Sequence, residues 1–310
     1  MRITAVQLVL SVTLAALACA APSIESTPPG PPVVRAAESA TFAIIGDFGE
    51  AGPAEAAVAA LVHGWRPDFI ATTGDNNYPD GMRETIDDNV GQYYHDYLGD
   101  YAGRYGAGAP DNRFFPVPGN HDWHTHDLAP YREYFHLPGN ERYYAVSWGP
   151  VDLFLLDSDR AEPDGIDADS KQARWLKDAL ARSTAPWQLV LLHHAPHSSG
   201  RHGSTSALQW PFAAWGADAV IAGHDHAYER IERDGIVYLV NGLGGHGKRY
   251  EFTTPVAGSA IRFNDAHGAM RVHATAHELR FEFVAVDGRQ VEAGRCACTR
   301  PRTSCASSSS

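Results

Sequence analysis

Residues 69–78 read Phe69-Ile70-Ala71-Thr72-Thr73-Gly74-Asp75-Asn76-Asn77-Tyr78: an apolar run, then a glycine, a carboxylate, two amides and a phenol. The apolar half has the length of a buried strand, so Asp75 and Tyr78 fall on the loop that leaves its carboxyl end. In open α/β sheets that end is where ligands collect. Four other apolar runs finish in the same way. Residues 42–45 enter Gly46-Asp47-Phe48-Gly49, and residues 114–118 enter Gly119-Asn120-His121-Asp122. Residues 189–192 enter His193-His194, and residues 219–222 enter Gly223-His224-Asp225-His226. Together these ends offer more oxygen and nitrogen ligands than one metal ion uses. Two ions sharing a bridging carboxylate account for them economically.

These five blocks, in this order and each behind an apolar run, resemble the purple acid phosphatases within the calcineurin-like binuclear metallophosphoesterases. The likeness covers roughly residues 41–245. One block alone is a weak signal, and five in order are a strong one. A tyrosine three residues after the bridging aspartate, here Tyr78, separates purple acid phosphatases from most other metallophosphoesterases. The fold the resemblance implies is a four-layer α/β/β/α sandwich of two mixed sheets flanked by helices. With no room for the N-terminal β-sandwich of plant-type relatives, the match is to the short, single-domain form. The implied activity is that of a metal-dependent phosphoric ester hydrolase acting on phosphate monoesters through a metal-bound water or hydroxide.

By the same resemblance, Asp47, Asp75, Tyr78 and His226 hold one ion, and Asp75, Asn120, His193 and His224 hold the other. Three anionic oxygens suit a hard trivalent ion such as Fe(III), and the less charged second set suits Fe(II), Zn(II) or Mn(II). A phenolate on Fe(III) implies a violet to pink protein. At residues 193–194 two registers compete. Pro196 favours His194 as ligand, whereas the family's substrate-facing histidine lies nine residues beyond the ligand, and His202 is nine beyond His193. That spacing favours His193. The catalytic residues implied are His121 and His202, which bind phosphate oxygens or protonate the departing alkoxide, with Asp122 placed to orient His121. Histidine suits such work because it titrates near neutral pH. Arg201 is a candidate phosphate contact or a solvated loop residue, and Gly242-Leu243-Gly244-Gly245-His246, with Lys248 and Arg249, is expected at the pocket rim. His124 and His126 lie close to the site in sequence, while His63, His95, His136, His267, His273 and His277 read as isolated structural histidines.

Outside this region the chain carries address and tether features. Residues 1–20 have an early Arg2, an apolar stretch and small residues toward Ala20, the pattern of a secretory signal too short to span a membrane comfortably. Cleavage after Ala18 or Ala20 fits this pattern. Residues 16–19 also look like an imperfect bacterial lipobox, which leaves a lipid anchor at Cys19 open. The expectation is an exported bacterial protein, secreted, periplasmic or lipid-anchored, with no transmembrane span. Residues 21–40 are proline-rich and too polar to fold alone, a tether. Residues 41–295 form one catalytic domain, and residues 296–310 a Cys- and Ser-rich tail. Of the 4 cysteines, Cys296, Cys298 and Cys305 cluster there, and export makes a disulfide from Cys305 to Cys298 or Cys296 plausible. Cys296 and Cys298 are too close in sequence to pair without strain. A net charge of −12 with no basic cluster argues against nucleic acid or an anionic membrane as partner.

Periodicity predicts helices over residues 54–65 (with Pro53 at the first position), 82–97, 169–182 (capped by Asp169) and 206–215 (bent or started at Pro211). Strands are expected at 143–148, 151–156, 236–240, 271–276 and 279–286 besides those above. Two other functions fit the same residues: a phosphodiesterase using two Mn(II) or Zn(II) ions with Tyr78 off the metal, and a non-catalytic surface module on the same scaffold. The natural substrate and oligomeric state are not encoded in any motif.

Overall fold

The computed structural model describes residues 33–125 and 127–297. Fourteen strands form two sheets among these residues. They are β1 (Val33–Arg35), β2 (Ser39–Ile45), β3 (Phe69–Thr72), β4 (Phe114–Phe115), β5 (Tyr144–Trp148), β6 (Val151–Leu155), β7 (Trp187–Leu191), β8 (Ala219–Ala222), β9 (Tyr228–Arg233), β10 (Ile236–Asn241), β11 (Ser259–Phe263), β12 (Gly268–Thr275), β13 (Glu278–Ala285) and β14 (Gln290–Ala297). The larger sheet runs β1-β5-β6-β7-β8-β10-β9-β11 and the smaller β14-β13-β12-β2-β3-β4. Each mixes parallel and antiparallel pairs. With helices on their flanks, the two mixed sheets form the expected α/β metallophosphoesterase fold.

Ligand-bearing loops leave β2, β3 and β4, which are adjacent and parallel in one sheet, and β7 and β8, adjacent and parallel in the other. Register keeps the loops level: Ile45 pairs with Thr72, and Leu191 with Ile221. The sheets are stitched at this end. Asn241, closing β10, donates its Nδ2–H to Ile44 O at 3.0 Å, and the Thr73 hydroxyl donates to Asn241 O at 3.2 Å.

Burial follows strand pleating. Leu189 and Leu191 belong to the larger apolar core with Phe42, Ile44, Leu239 and Val272, whereas Val190 and Leu192 face a second core containing Leu176, Leu180 and Trp210. Both faces of β7 are therefore dry, which explains its unbroken apolar sequence.

Local differences from expectation have identifiable causes. Helix Pro53–Trp65 starts at Pro53 as expected. The run at 82–97 is helical but not uniform, with a π turn at Asp87–Gly91 between short α segments and a closing 3₁₀ turn. Gly91 packs tightly against Asp87 Oδ1: a Cβ there would lie 2.1 Å away, so a larger residue would push that carboxylate off its Tyr101 and Tyr134 hydroxyl partners. Helix Lys171–Arg182 is capped by Ser170, whose hydroxyl accepts the Ala173 N–H at 3.0 Å, and not by Asp169. Around Pro211 the expected single helix splits into Ser206–Leu208 and Phe212–Trp215. Strand β4 shrinks to two residues because Pro116 and Pro118 have no N–H for a ladder. Strand β1 falls within the stretch expected to be tether and pairs with β5, and β14 runs two residues past the expected domain end at 295. The leader, Cys19, His126, Cys298 and Cys305 lie outside the described residues. Among the described residues no helix is long and apolar enough to cross a membrane.

Candidate metal centre

Three of the predicted ligands sit where the backbone turns sharply. Asp47, Asp75 and His224 have φ of 55°, 53° and 70°, left-handed values that cost non-glycine residues roughly 1–3 kcal/mol each. The surrounding main chain holds them there. Asp47 N–H donates to Gly74 O at 3.0 Å, and the His224 N–H reaches the Asp47 carboxylate at 3.0–3.1 Å. Gly119 is needed for close approach, since a Cβ at that position would lie 2.2 Å from Asp75 Oδ1.

The donor atoms fall into two groups that share one carboxylate. On one side, the Tyr78 hydroxyl donates to Asp75 Oδ2 at 2.9 Å and lies 3.2 Å from His226 Nε2, which is 3.4 Å from Asp47 Oδ1. On the other, His193 Nε2 lies 3.0 Å from Asn120 Oδ1, 3.2 Å from His224 Nδ1 and 3.4 Å from Asp75 Oδ1. Each oxygen of Asp75 thus faces a different group. Ligand atoms of Asp47, Asp75 and His193 all lie within 4.8 Å of one another, and so do those of His193, His194 and His224.

This donor set fits metal ions. Nδ1 of His193 donates to Thr73 O at 2.8 Å and Nδ1 of His226 to Lys248 O at 2.7 Å, which leaves Nε2 of each ring as the atom a metal ion would take in place of a proton. Such outer bonds fix the tautomer a ligand needs. The electrostatics point the same way. Burial opposes charge on Asp75, yet the neighbouring His193 ring holds its carboxyl well below the usual range. Burial likewise opposes protonation of His193, but Asp75 and then Asp47 lift it to about 10. Tyr78 is held well above an ordinary phenol by burial, then by Asp75 and Asp47. The cluster carries a negative field that calls for cationic charge.

His121 and His202 pack on different members of the cluster. The His121 ring packs on Tyr78 at 4.4 Å and its Nδ1 donates to Pro79 O at 2.5 Å, while the main-chain N–H of His121 donates to Asp75 Oδ1 at 3.0 Å. The His202 ring packs on His224 at 4.1 Å. Asp122 does not meet the His121 ring. Its buried Oδ2 accepts the N–H groups of Gly119 and Asn76 and the Asn76 amide, so it braces the loop, and its Oδ1 has no partner. Burial, then Asp75, pushes its carboxyl up to about 7. His194 is half-buried, with Nδ1 3.0 Å from Ser158 Oγ, and that hydroxyl also accepts the N–H groups of His193 and His194.

The rim holds one residue the sequence left unnoticed, Tyr250, beside the candidate Arg201. The Tyr250 ring stacks on His226 at 4.1 Å, and the exposed Arg201 guanidinium covers Tyr250 at 5.2 Å. Tyr250 directly follows Lys248 and Arg249, expected at the rim, but nothing in its local sequence marks a ring that stacks on His226, so only folding finds it. His246, expected at the rim, packs on Tyr78 at 4.3 Å and on His226 at 4.5 Å. His124 bonds Asp80 at 3.0 Å and packs beside the His121 ring at 4.8 Å. His63, His95 and His267 donate structural hydrogen bonds to main-chain oxygens, and His273 bonds the Thr41 hydroxyl.

Residues 40–228 match the calcineurin-like phosphoesterase family. Among curated proteins, purple acid phosphatase 3 of Arabidopsis thaliana is 28% identical over 249 residues, which span 71% of this chain and 66% of that protein, just under two thirds. Tartrate-resistant acid phosphatase type 5 of Homo sapiens is 24% identical over 271 residues, spanning 76% of this chain and 80% of that one. Among solved structures, a purple acid phosphatase from yellow lupin seeds superposes with a TM-score of 0.69 at 17% identity, over 86% of this chain and 55% of that one. GAP50 of Plasmodium, described as the anchor in the inner membrane complex, gives 0.64 at 16%, over 85% and 90%.

Proposed function

Starting from its membership of the calcineurin-like phosphoesterase family, to which this chain belongs, we propose that it is an exported acid phosphatase of the purple type that hydrolyses phosphate monoesters. The observation that carries the reading is the phenol of Tyr78, set against Asp75 Oδ2 and His226 Nε2 inside the donor cluster. Fe(III) at Asp47, Asp75, Tyr78 and His226, with Fe(II), Zn(II) or Mn(II) at Asp75, Asn120, His193 and His224, is the metal content we assign. When bound, such a pair supplies Lewis-acid charge and lowers the pKa of water.

The chain's own residues do the rest. Asp75 joins the two ligand groups through its separate oxygens. Asp122 braces the loop that presents Asn120, through Gly119 and Asn76. Pro79 O holds Nδ1 of His121, so its Nε2 is the ring atom left to meet a phosphate oxygen. His202, exposed beside His224, is placed to deliver a proton to a departing alkoxide. Export rests on the leader pattern, with lipidation at Cys19 as one form of it.

Purified protein assayed on para-nitrophenyl phosphate and on its bis ester, with metal analysis, tests the reading. Preference for the monoester with iron bound is the expected result. Preference for the diester with manganese or zinc alone would replace it with the phosphodiesterase reading, and inactivity of fully metallated protein with the non-catalytic one.

A further inference from the structure

The imidazole of His202 makes ring contacts, to His224 at 4.1 Å and Tyr250 at 5.3 Å, and among the described residues it makes no hydrogen bond. Something other than its own side chain must set its position. The main chain does. The His202 N–H donates to Asp225 Oδ1 at 2.7 Å, and Asp225 is the buried residue between His224 and His226. Asp225 Oδ2 accepts the Ser198 hydroxyl at 2.5 Å, whose oxygen accepts the Gly200 N–H at 2.9 Å. The loop closes so tightly on this carboxylate that a Cβ at Gly200 would lie 2.3 Å from Asp225 Cγ. One carboxylate therefore gathers the loop over residues 198–202.

We propose that Asp225 is a positioning residue for His202: it ties the loop carrying the proton donor to the segment carrying His224 and His226, so donor and ligands keep one geometry. This rests on the monoesterase reading above. The other half of the loop has its own anchor. Buried Glu229 accepts the Ser199 N–H at 2.7 Å and the Ser199 hydroxyl at 2.5 Å, and Thr253 N–H donates to Ser199 O at 2.8 Å. Losing Asp225 thus releases the His202 end while leaving residue 199 held. Misplacing a catalytic group by about 1 Å can cost on the order of 100-fold in rate, so a main-chain anchor at this point has kinetic leverage.

The experiment compares Asp225→Ala, Asp225→Asn, His202→Ala and the Asp225→Ala/His202→Ala double variant on glycerol phosphate and on para-nitrophenyl phosphate, with metal content measured for each. Hydrogen exchange at residues 198–202 in metal-free protein is measured alongside. Asp225→Ala is expected to lower kcat on the alkyl ester by about 10- to 100-fold, and much less on the aryl ester, with KM and metal content little changed. Asp225→Asn retains an acceptor for the His202 N–H and should recover part of the loss. The double variant should be no slower than His202→Ala, and exchange should rise at Gly200 and His202 while the Ser199 N–H, held by Glu229, stays protected. If Asp225→Ala does not fold, Ser198→Ala, which removes the Oδ2 anchor, carries the same expectation at smaller size. Additive losses, equal loss on both esters, or loss of metal overturns the proposal while leaving the monoesterase reading intact. A His202→Ala variant that shows no preference for the activated ester removes the acid role itself, and the inference with it.

Discussion

The Tyr78 hydroxyl donates to Asp75 Oδ2 at 2.9 Å, so a phenol and a carboxylate three residues apart in the chain meet at one point of the buried cluster. With burial and two carboxylates holding the phenol protonated, only strong positive charge ionises it. Metal binding is then coupled to proton release.

Iron-loaded protein should therefore absorb in the visible as a phenolate-to-Fe(III) chromophore, and Tyr78→Phe should lose the band. The variant should stay folded, because the ring packing on His121 and His246 needs no hydroxyl. Visible spectroscopy and thermal melts of both proteins check this. A colourless wild type, fully active with manganese or zinc alone, would leave Tyr78 a packing residue.

Removal of metal by a strong chelator should abolish hydrolysis, and Asp75→Ala should bind fewer ions per chain than Asn120→Ala. The reason is that Asp75 faces both donor groups with separate oxygens, Oδ1 toward His193 and Oδ2 toward Tyr78. Elemental analysis reads the stoichiometry. Equal metal content in the two variants would argue against a shared carboxylate.

His193→Ala should lose metal, whereas His194→Ala should keep it and alter only turnover. His193 presents Nε2 to Asn120 and His224 with its Nδ1 tied to Thr73, while His194 spends Nδ1 on Ser158. Metal loss confined to the His194 variant would reverse the register.

Glu55→Gln should make the protein more stable, increasingly so as pH rises. Glu55 is fully buried with neither carboxylate oxygen hydrogen-bonded in normal geometry, and burial, then Glu50, holds its pKa well above 4.5. Above pH 4.5 the folded chain keeps a proton that the unfolded chain releases, so stability falls as pH increases until the folded pKa is reached. The slope from this one group is about 1.4 kcal/mol per pH unit. Melts between acid and neutral pH should show the wild type losing that increment and Glu55→Gln lacking it. Parallel curves would mean Glu55 is ionised in the fold.

The sequence by itself determined the order of the ligand blocks and the strands behind them, since apolar runs such as residues 69–72 and 187–191 are buried on both faces wherever they sit in a sheet. It carried the seven ligand residues in the same way, because each lies in the segment that leaves one of these strands. Tertiary structure alone decided how they combine. Strands far apart in the chain were brought side by side at the Asn241 seam, which set His193 rather than His194 against Asn120. Folding also turned Asp122 from His121 toward Gly119 and Asn76, and placed Tyr250 and Asp225 around a histidine distant in sequence. Periodicity reports which face of a segment is dry, a local property. Side-chain direction at a strand end depends on left-handed turns and on hydrogen bonds from other strands, and these exist only once both sheets have packed.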